Sequence, residues 1–175
     1  MIIFIIILLI LAIPFIAALF IERNYTIERE TIIDKPRQEV FNYIKYLKNQ
    51  EHYNKWVMTD LQAKRANHGT DGTVGFVTTW NSTNKNVGKG EQEIKKIQEG
   101  ERIEHEMRFE KPFKGTSTAY LETSSPDGKK TIVKWGFCGD RTYMMRVMHF
   151  ILNIKKMLGN DIQTSLNNLK LVLEH

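Results

Sequence analysis

The sequence predicts an α+β fold in which a curved antiparallel sheet receives one long C-terminal helix. Within residues 160–174, apolar side chains recur at helical spacing, so one face of a helix there must be buried. These side chains are Ile162, Leu166, Leu169 and Leu173. Residues 25–138 contain seven strand-like segments, with helical patterns only after the first one. This order is typical of an antiparallel sheet rather than a doubly wound parallel sheet.

The N-terminal residues 2–21 carry no charged or hydrogen-bonding side chain. As a helix they would span about 30 Å, the thickness of a bilayer core. Three interpretations are open: a retained transmembrane anchor, a cleaved signal peptide and a helix buried in the core. The segment lacks the basic start of a signal peptide and exceeds its usual apolar length of about 7–15 residues. We therefore expect one transmembrane helix in residues 1–22 and one folded domain in residues 23–175.

The charge distribution bears on localisation. The 175 residues have a formal net charge of +5, and every charged side chain follows Ile21. Four basic residues come soon after the apolar segment: Arg23, Arg29, Lys35 and Arg37. The positive-inside rule then predicts a single-pass membrane protein with a cytoplasmic domain, and an extracytoplasmic domain is the alternative. The single cysteine, Cys138, excludes an internal disulfide framework and is compatible with either side.

The first strand and the helices after it are marked by local signals. Residues 25–33 alternate in the period-two pattern of a half-buried strand. Asp34 and Pro36 then favour the start of a helix, because Asp caps a helix well and Pro fits its first turn. That helix would bury Val40, Phe41 and Ile44. A second short helical piece is expected over residues 49–55, just before Trp56.

Six further strands are expected near residues 61–67, 74–81, 89–97, 102–110, 115–124 and 130–138. In strand 102–110, alternation places Ile103, His105, Met107 and Phe109 on one face and charged side chains on the other. The matching inward set of strand 130–138 is Thr131, Val133, Trp135 and Phe137, and that of strand 74–81 is Phe76, Thr78 and Trp80. These inward faces are expected to line a pocket beneath the C-terminal helix.

The C-terminal region is expected to form two helical pieces. Gly159 and Asn160 favour a helix end followed by a new cap, so a kink or break is predicted there. The first piece is rich in methionine: Met144, Met145, Met148 and Met157. Methionine adapts to irregular surfaces, so this piece is either a pliable lid over a ligand or ordinary core filler.

Four segments in register resemble a known superfamily: IDKPRQEVFNYIKYLKNQEHYNKW, GKGEQEI, TIVKWGF and DIQTSLNNLKLVLE. In order and spacing they resemble the SRPBCC or START-like proteins, most closely the polyketide cyclase/dehydrase-like branch. The resemblance covers about residues 25–174. It implies a helix-grip fold, in which a seven-stranded antiparallel sheet wraps a long C-terminal helix and encloses a mostly apolar cavity. Because the superfamily includes lipid carriers, hormone receptors, cyclases and chaperone activators, the resemblance fixes no function.

Nine residues are the candidates for ligand contact: Trp56, Phe76, Trp80, His105, Met107, Phe109, Trp135, Met145 and Met148. His105 is also the one candidate acid or base, because alternation places it among apolar neighbours. A core histidine satisfied by a neighbour or by water would explain its position equally. For the tryptophans, packing in the core is the alternative to lining a pocket.

Other chemistry is disfavoured by the sequence. It contains no GxSxG or HExxH motif, no cysteine pair and no complete phosphate loop, so we expect no metal and no cofactor. Lys and Arg are scattered, which argues against nucleic-acid binding. We therefore expect a monomeric, membrane-anchored protein, not an enzyme, that holds a hydrophobic small molecule or lipid in an internal cavity. A polyketide cyclase/dehydratase-like enzyme using the same cavity is the alternative, and a structural protein with a vestigial cavity is a third possibility.

Overall fold

The computed structural model describes residues 2–175, apart from the side chains of Ile2, Ile5, Ile7, Met144 and residues 149–152. The helices are α1 (Ile2–Phe20), α2 (Arg37–Ile44), α3 (Lys55–Thr59), α4 (Tyr143–Leu152) and α5 (Ile154–Glu174), with a 3-10 helix at Leu47–His52. The strands are β1 (Asn24–Ile33), β2 (Lys64–His68), β3 (Val77–Asn81), β4 (Lys89–Gln98), β5 (Arg102–Lys111), β6 (Gly115–Ser124) and β7 (Thr131–Asp140).

The seven strands form one sheet in the order β1-β7-β6-β5-β4-β3-β2, and every neighbouring pair is antiparallel. The register aligns one residue from each of five strands: Ile27, Phe137, Ala119, His105 and Ile94. Side chains at paired positions share a face of the sheet. The predicted α+β class, the antiparallel sheet and the long C-terminal helix are therefore confirmed.

Helix α5 closes one end of the sheet's inner face, as its apolar stripe predicts. Ile162, Leu166 and Leu169 are completely buried in the core beneath it. The end of the helix is tied to the first strand, because Lys170 Nζ donates to the Ile32 carbonyl at 2.8 Å. The Glu174 carboxylate accepts from the Asp34 backbone N–H at 2.6 Å. Helix α5 therefore runs along β1, the element with which it packs most extensively.

The break in the C-terminal helix lies six residues earlier than the sequence predicts. Gly159 and Asn160 lie inside α5, so the predicted break there is wrong. The chain instead turns at Asn153, whose φ of 47° is left-handed and whose side-chain oxygen accepts from the Lys156 N–H at 3.3 Å. Asparagine tolerates this conformation better than most residues and also caps helices well.

Gly159 allows α5 to approach β1 closely and does not end the helix. A Cβ built at this position would lie 2.8 Å from Cζ of Arg29, on the neighbouring β1. Only the absence of a side chain lets the guanidinium lie against the helix in this way. Arg29 also donates to the Glu28 carbonyl at 2.7 Å.

The short helices are held by α5. Asn54 caps α3 by accepting from the Trp56 N–H at 3.0 Å. The Lys55 N–H donates to Ser165 Oγ at 3.0 Å, which fixes α3 against α5. Helix α2 differs from prediction, because it begins after Pro36 without a side-chain cap. The Asp34 carboxylate pairs instead with a lysine of the β6–β7 turn, 2.8 Å away.

One tyrosine is buried on the outer face of the sheet. Tyr120 is 7% exposed and lies over Gly136 of the neighbouring strand, where a Cβ would come within 2.5 Å of its hydroxyl oxygen. Its hydroxyl donates to the Glu28 carboxylate. The Arg102 guanidinium lies over the ring, 3.9 Å from its centroid. Both a glycine and a cation thus contact this ring.

Helix α1 packs against α4. Tyr143 Oη donates to the Phe15 carbonyl at 2.8 Å, Arg146 approaches the Ile21 carbonyl at 3.4 Å, and Ala18 is fully buried. Across the residues whose structure is described, no helix has the length and apolar character needed to cross a membrane. The predicted transmembrane anchor in residues 2–21, and with it single-pass membrane localisation with a cytoplasmic domain, is therefore wrong. The end of this helix is engaged by α4 instead.

Candidate ligand-binding site

The inner face of the sheet is closed at one end and half-open at the other. On β5, His105 is only 2% exposed, whereas Met107 and Phe109 further along the same face are half-buried. Strand β7 shows the same gradient, because Trp135 is 5% exposed and Phe137 is half-buried. The half-open end therefore presents apolar side chains that another molecule can cover.

Four aromatic side chains cross this half-open end, and we call them the inner aromatic row: Tyr25 on β1, Phe137 on β7, Phe109 on β5 and Trp80 on β3. Neighbouring ring centroids are 6.2, 6.5 and 6.0 Å apart in that order. The rings meet in tilted or edge-to-face geometry, which aromatic pairs favour. All four are half-buried, so the row forms an apolar floor.

The Trp80 end of the row is fixed by the backbone. Its indole N–H donates to the Val87 carbonyl at 3.1 Å, within the β3–β4 hairpin. Its ring lies against Gly90, where a Cβ would be 2.7 Å from the Trp80 Cζ2 atom. Gly90 also pairs with Phe109 on its other side. Because its one polar atom is satisfied, Trp80 offers a ligand apolar surface only.

The Tyr25 end of the row is fixed by a cation. The Arg141 guanidinium lies 4.5 Å from the centroid of the Tyr25 ring. Burial raises the pKa of the Tyr25 phenol, so the hydroxyl stays protonated at neutral pH. On β7, Gly139 leaves space for this ring, since a Cβ there would lie 3.2 Å from the hydroxyl oxygen.

Beneath the row lies a buried pair of polar side chains on adjacent strands. Gln92 Nε2 is 2.6 Å from His105 Nδ1, and the two residues are 6% and 2% exposed. With the amide placed in this way, Gln92 donates to Nδ1 and the imidazole proton lies on Nε2. That Nε2 atom is buried and has no hydrogen-bond partner among the described residues.

The imidazole of His105 is neutral at physiological pH. Burial lowers its pKa to about 4, because the charged form loses its hydration. It is therefore a hydrogen-bonding group rather than a cation. A base with so low a pKa also takes up protons poorly at neutral pH, where general-base catalysis works best with a pKa near the operating pH.

The other predicted contact residues divide between this site and its surroundings. Met107, Phe109 and Trp80 belong to the half-open end. Trp135 lies deeper, in edge-to-face contact with Trp56 at 6.4 Å, and Phe76 is buried in the core. Trp56, Trp135 and Phe76 therefore pack on the core side of the half-open end. As Trp56 is itself half-buried, it lies between core and surface.

The two predicted methionine contacts lie on a separate element. Met145 and Met148 are half-buried residues of α4, whose main packing partner is α1. Met144 belongs to the same helix, but its side chain lies outside the described residues. The methionine lid therefore stays a prediction.

Three residues of the site are absent from the nine predicted ligand contacts: Gln92, Tyr25 and Phe137, of which Phe137 was predicted to face the pocket. Strand alternation identifies Phe137 and Tyr25 as inward-facing, but it does not show that they meet Phe109 across the sheet. Gln92 is harder to identify from the sequence, because β4 is rich in Glu, Lys and Gln, a composition typical of a solvent-exposed strand. Its pairing opposite Met107, with His105 the next inward residue on β5, depends on the register.

Two surface depressions, of about 310 and 370 Å³, lie elsewhere on the sheet. Most of their lining side chains, such as Thr79 and Glu91 in the first and Thr118 and Cys138 in the second, belong to the outer face by strand alternation. Within the described part of the chain, no group of three or more His, Cys, Asp or Glu side chains is arranged to hold a metal ion.

The architecture is shared with many solved structures. No family model and no curated protein matches the chain. A protein from Thermobifida fusca has a TM-score of 0.64 at 16% identity, covering 83% of this chain and 90% of that one. The Aha1 dimer from Colwellia psychrerythraea has a TM-score of 0.60 at 10% identity, covering 86% and 96%. Ara h 8.0201 has a TM-score of 0.54 at 14% identity, covering 83% and 97%.

These likenesses, with the seven-stranded sheet and the long C-terminal helix, decide the architecture. The chain has a helix-grip fold. At such low identities the likeness shows the fold alone. What the helix-grip domain binds must be argued from its own inner face.

Proposed function

We propose that the helix-grip domain binds a hydrophobic small molecule or lipid against the half-open end of its inner face. The observation that carries this proposal is the inner aromatic row, four half-buried rings in contact across the sheet. Ligand pockets are typically apolar and aromatic, with a few convergent polar groups. Gln92 and His105 supply such groups beneath the row. The resemblance to a superfamily that includes lipid carriers agrees with this proposal.

The size of the ligand follows from the energetics of burial. Covering about 200 Å² of apolar protein surface would contribute about 5 kcal/mol at 25 cal/mol per Å². Association itself costs an estimated 4–15 kcal/mol or more, so the protein surface alone cannot give micromolar affinity. The ligand must add its own buried surface, at about 0.8 kcal/mol per methylene. A chain of about ten carbons or an aromatic system of similar area meets this requirement.

Binding is favoured over catalysis by the state of His105. It is the one candidate acid or base of the predicted site, and burial lowers its pKa to about 4. Such a group is suited to hold a ligand oxygen, whereas proton abstraction at neutral pH favours a higher pKa. A cyclase or dehydratase activity is therefore the less favoured alternative.

The test uses N-phenyl-1-naphthylamine, an uncharged apolar probe whose fluorescence rises in apolar surroundings. Phe109→Ser removes a central ring of the row, and we expect at least a fivefold loss of probe affinity. Phe113→Ser is the matched control, because Phe113 is 56% exposed on the β5–β6 hairpin beyond the row. We expect the control to bind the probe like the wild type. Probe that adheres to the exposed apolar side chains of α1 does so equally in all three proteins.

Thermal unfolding of both variants separates lost binding from lost folding. The proposal is contradicted if Phe109→Ser folds normally and retains wild-type affinity for the probe. It is equally contradicted if both phenylalanine variants lose affinity to the same extent, since the probe would then bind outside the inner aromatic row.

A further inference from the structure

Next to the half-open end, His105 Nε2 is a buried polar atom of the inner face with no hydrogen-bond partner among the described residues, and that atom constrains the ligand. From it we infer that His105 Nε2 donates a hydrogen bond to an uncharged oxygen of the ligand. The ligand class is then a long apolar molecule with a carbonyl or hydroxyl group, rather than a fatty-acid anion. This inference rests on the proposed function and names its substrate class.

The first step of the argument is the orphaned donor. Buried polar groups in folded proteins nearly always have a hydrogen-bond partner, and an exception calls for an explanation. Gln92 occupies Nδ1 at 2.6 Å, which fixes the ring and leaves Nε2 as the free atom. Nε2 is also the ring nitrogen farther from the backbone. Because His105 belongs to the inner face of β5, its side chain lies on the same face of the sheet as the inner aromatic row.

The second step concerns charge. The register partners of His105 on the two adjacent strands are Ile94 and Ala119, and the next inward residues on β5 are Ile103 and Met107. None of these can neutralise an anion, and a buried carboxylate without a cation is strongly disfavoured. An uncharged oxygen needs only the single donor that Nε2 provides.

Cations do lie on or beside this face, but all are far from His105. Arg29 on β1 and Arg65 on β2 are each three strand spacings from β5, which amounts to about 14 Å. The Arg29 guanidinium lies against Gly159 of α5, and the Arg141 guanidinium covers the Tyr25 ring on β1. A single ligand oxygen at His105 cannot contact any of these cations.

The third step is reach. Inward residues follow one another at about 7 Å along a strand, so Phe109 lies about 13 Å from His105. A ten-carbon chain whose oxygen is at Nε2 therefore extends over Met107 to Phe109. The polar atom and the aromatic row fit one ligand of this length.

The experiment compares 2-decanone with decanoate as competitors of N-phenyl-1-naphthylamine on the full chain at pH 7.5. We expect the wild type to bind the ketone at least tenfold more tightly than the carboxylate. His105→Phe keeps an apolar ring but removes both nitrogens, and we expect the tenfold preference for the ketone over the carboxylate to disappear. His68→Phe is the matched control, since His68 is exposed at the end of β2, and it should behave as the wild type.

A measurement on the wild type covers the case in which His105→Phe does not fold. Saturating 2-decanone should shift the ¹⁵N resonance of the His105 Nε2 atom and leave that of His68 unchanged. If the probe and the ketone bind but the ketone has no advantage over decanoate and causes no such shift, the inference is overturned and the proposed function stands. If neither the probe nor the ketone binds, both are overturned.

Discussion

The buried imidazole of His105 makes a quantitative prediction about stability in acid. Its pKa is lowered by burial from the ordinary value of 6.5 to about 4. The unfolded chain therefore binds a proton at a pH where the folded chain does not. Stability from this group is complete above about pH 6.5 and is lost as the pH falls toward 4.

The magnitude follows from the size of that shift. Each pKa unit corresponds to about 1.4 kcal/mol of differential stability. With the two pKa values above, the free energy of unfolding should fall by about 2 kcal/mol between neutral pH and pH 5. By pH 4 the loss should reach about 3 kcal/mol. Carboxylates also titrate in this range, so the contribution of His105 must be isolated by difference.

The assay is urea unfolding of the wild type and His105→Phe at pH 7, 6, 5 and 4.5. The variant lacks the titrating group, so its free energy of unfolding should fall less steeply as the pH is lowered. Between pH 7 and pH 5, the wild type should therefore lose about 2 kcal/mol more stability than the variant. His68→Phe, in which an exposed histidine is replaced, controls for the change from histidine to phenylalanine itself. Parallel curves for His105→Phe would refute the reasoning, because they would show that the imidazole titrates alike in the folded and unfolded chains.

Three further predictions concern stability, each checked by the free energy of unfolding. Gly136→Ala should destabilise the domain by about 1–3 kcal/mol, because the new Cβ overlaps the Tyr120 ring, and combining it with Tyr120→Ala should give a smaller loss than the sum of the two. Asn153→Ala should cost about 1–2 kcal/mol, since it removes a helix cap at a left-handed residue, whereas Asn153→Gly should be nearly neutral; equal losses would contradict the assigned turn. Leu166→Ala should cost about 2–5 kcal/mol and Leu171→Ala less than about 0.5 kcal/mol, because the first is fully buried and the second is 58% exposed.

The periodic parts of the fold were predictable from the sequence. Strand 102–110 was expected with His105 inward, and the structure has Arg102–Lys111 with His105 buried. The stripe through Leu166 was expected to be buried, and it is. Both succeed because the alternation of apolar side chains is a local property that burial of one face imposes directly.

Features set by long-range contacts were not predictable. A glycine such as Gly159 is typical of a helix end. Here it lies within a helix, because the Arg29 side chain of another element approaches too closely for a Cβ. Tyr120 falls on the outer face by alternation and is buried there because Gly136, in the neighbouring strand, leaves space for its ring. In each case the partner is far away in sequence, and one sequence without its contacts cannot name it.

The inward orientation of some residues in the candidate site was predictable, but the way in which they assemble was not. Phe109 and Trp80 were expected to face inward, and the structure joins them into a row with Phe137. Gln92 was missed because a lone glutamine in a charged strand carries no periodic signal. Which part of the inner face stays half-open depends on the path of the C-terminal helix, which periodicity does not determine.

The path of the C-terminal helix is set by the turn at Asn153. Gly159 lies against Arg29 and Lys170 reaches Ile32, so α5 follows β1 toward the closed end of the sheet. A straight helix through residue 153 would extend about 15 Å further for ten more residues and would pass over Tyr25 and the inner aromatic row. The left-handed turn instead directs those residues into α4, which packs against α1. The half-open end of the inner face is therefore a consequence of this turn, and a variant that straightened it should lose affinity for the apolar probe as well as stability.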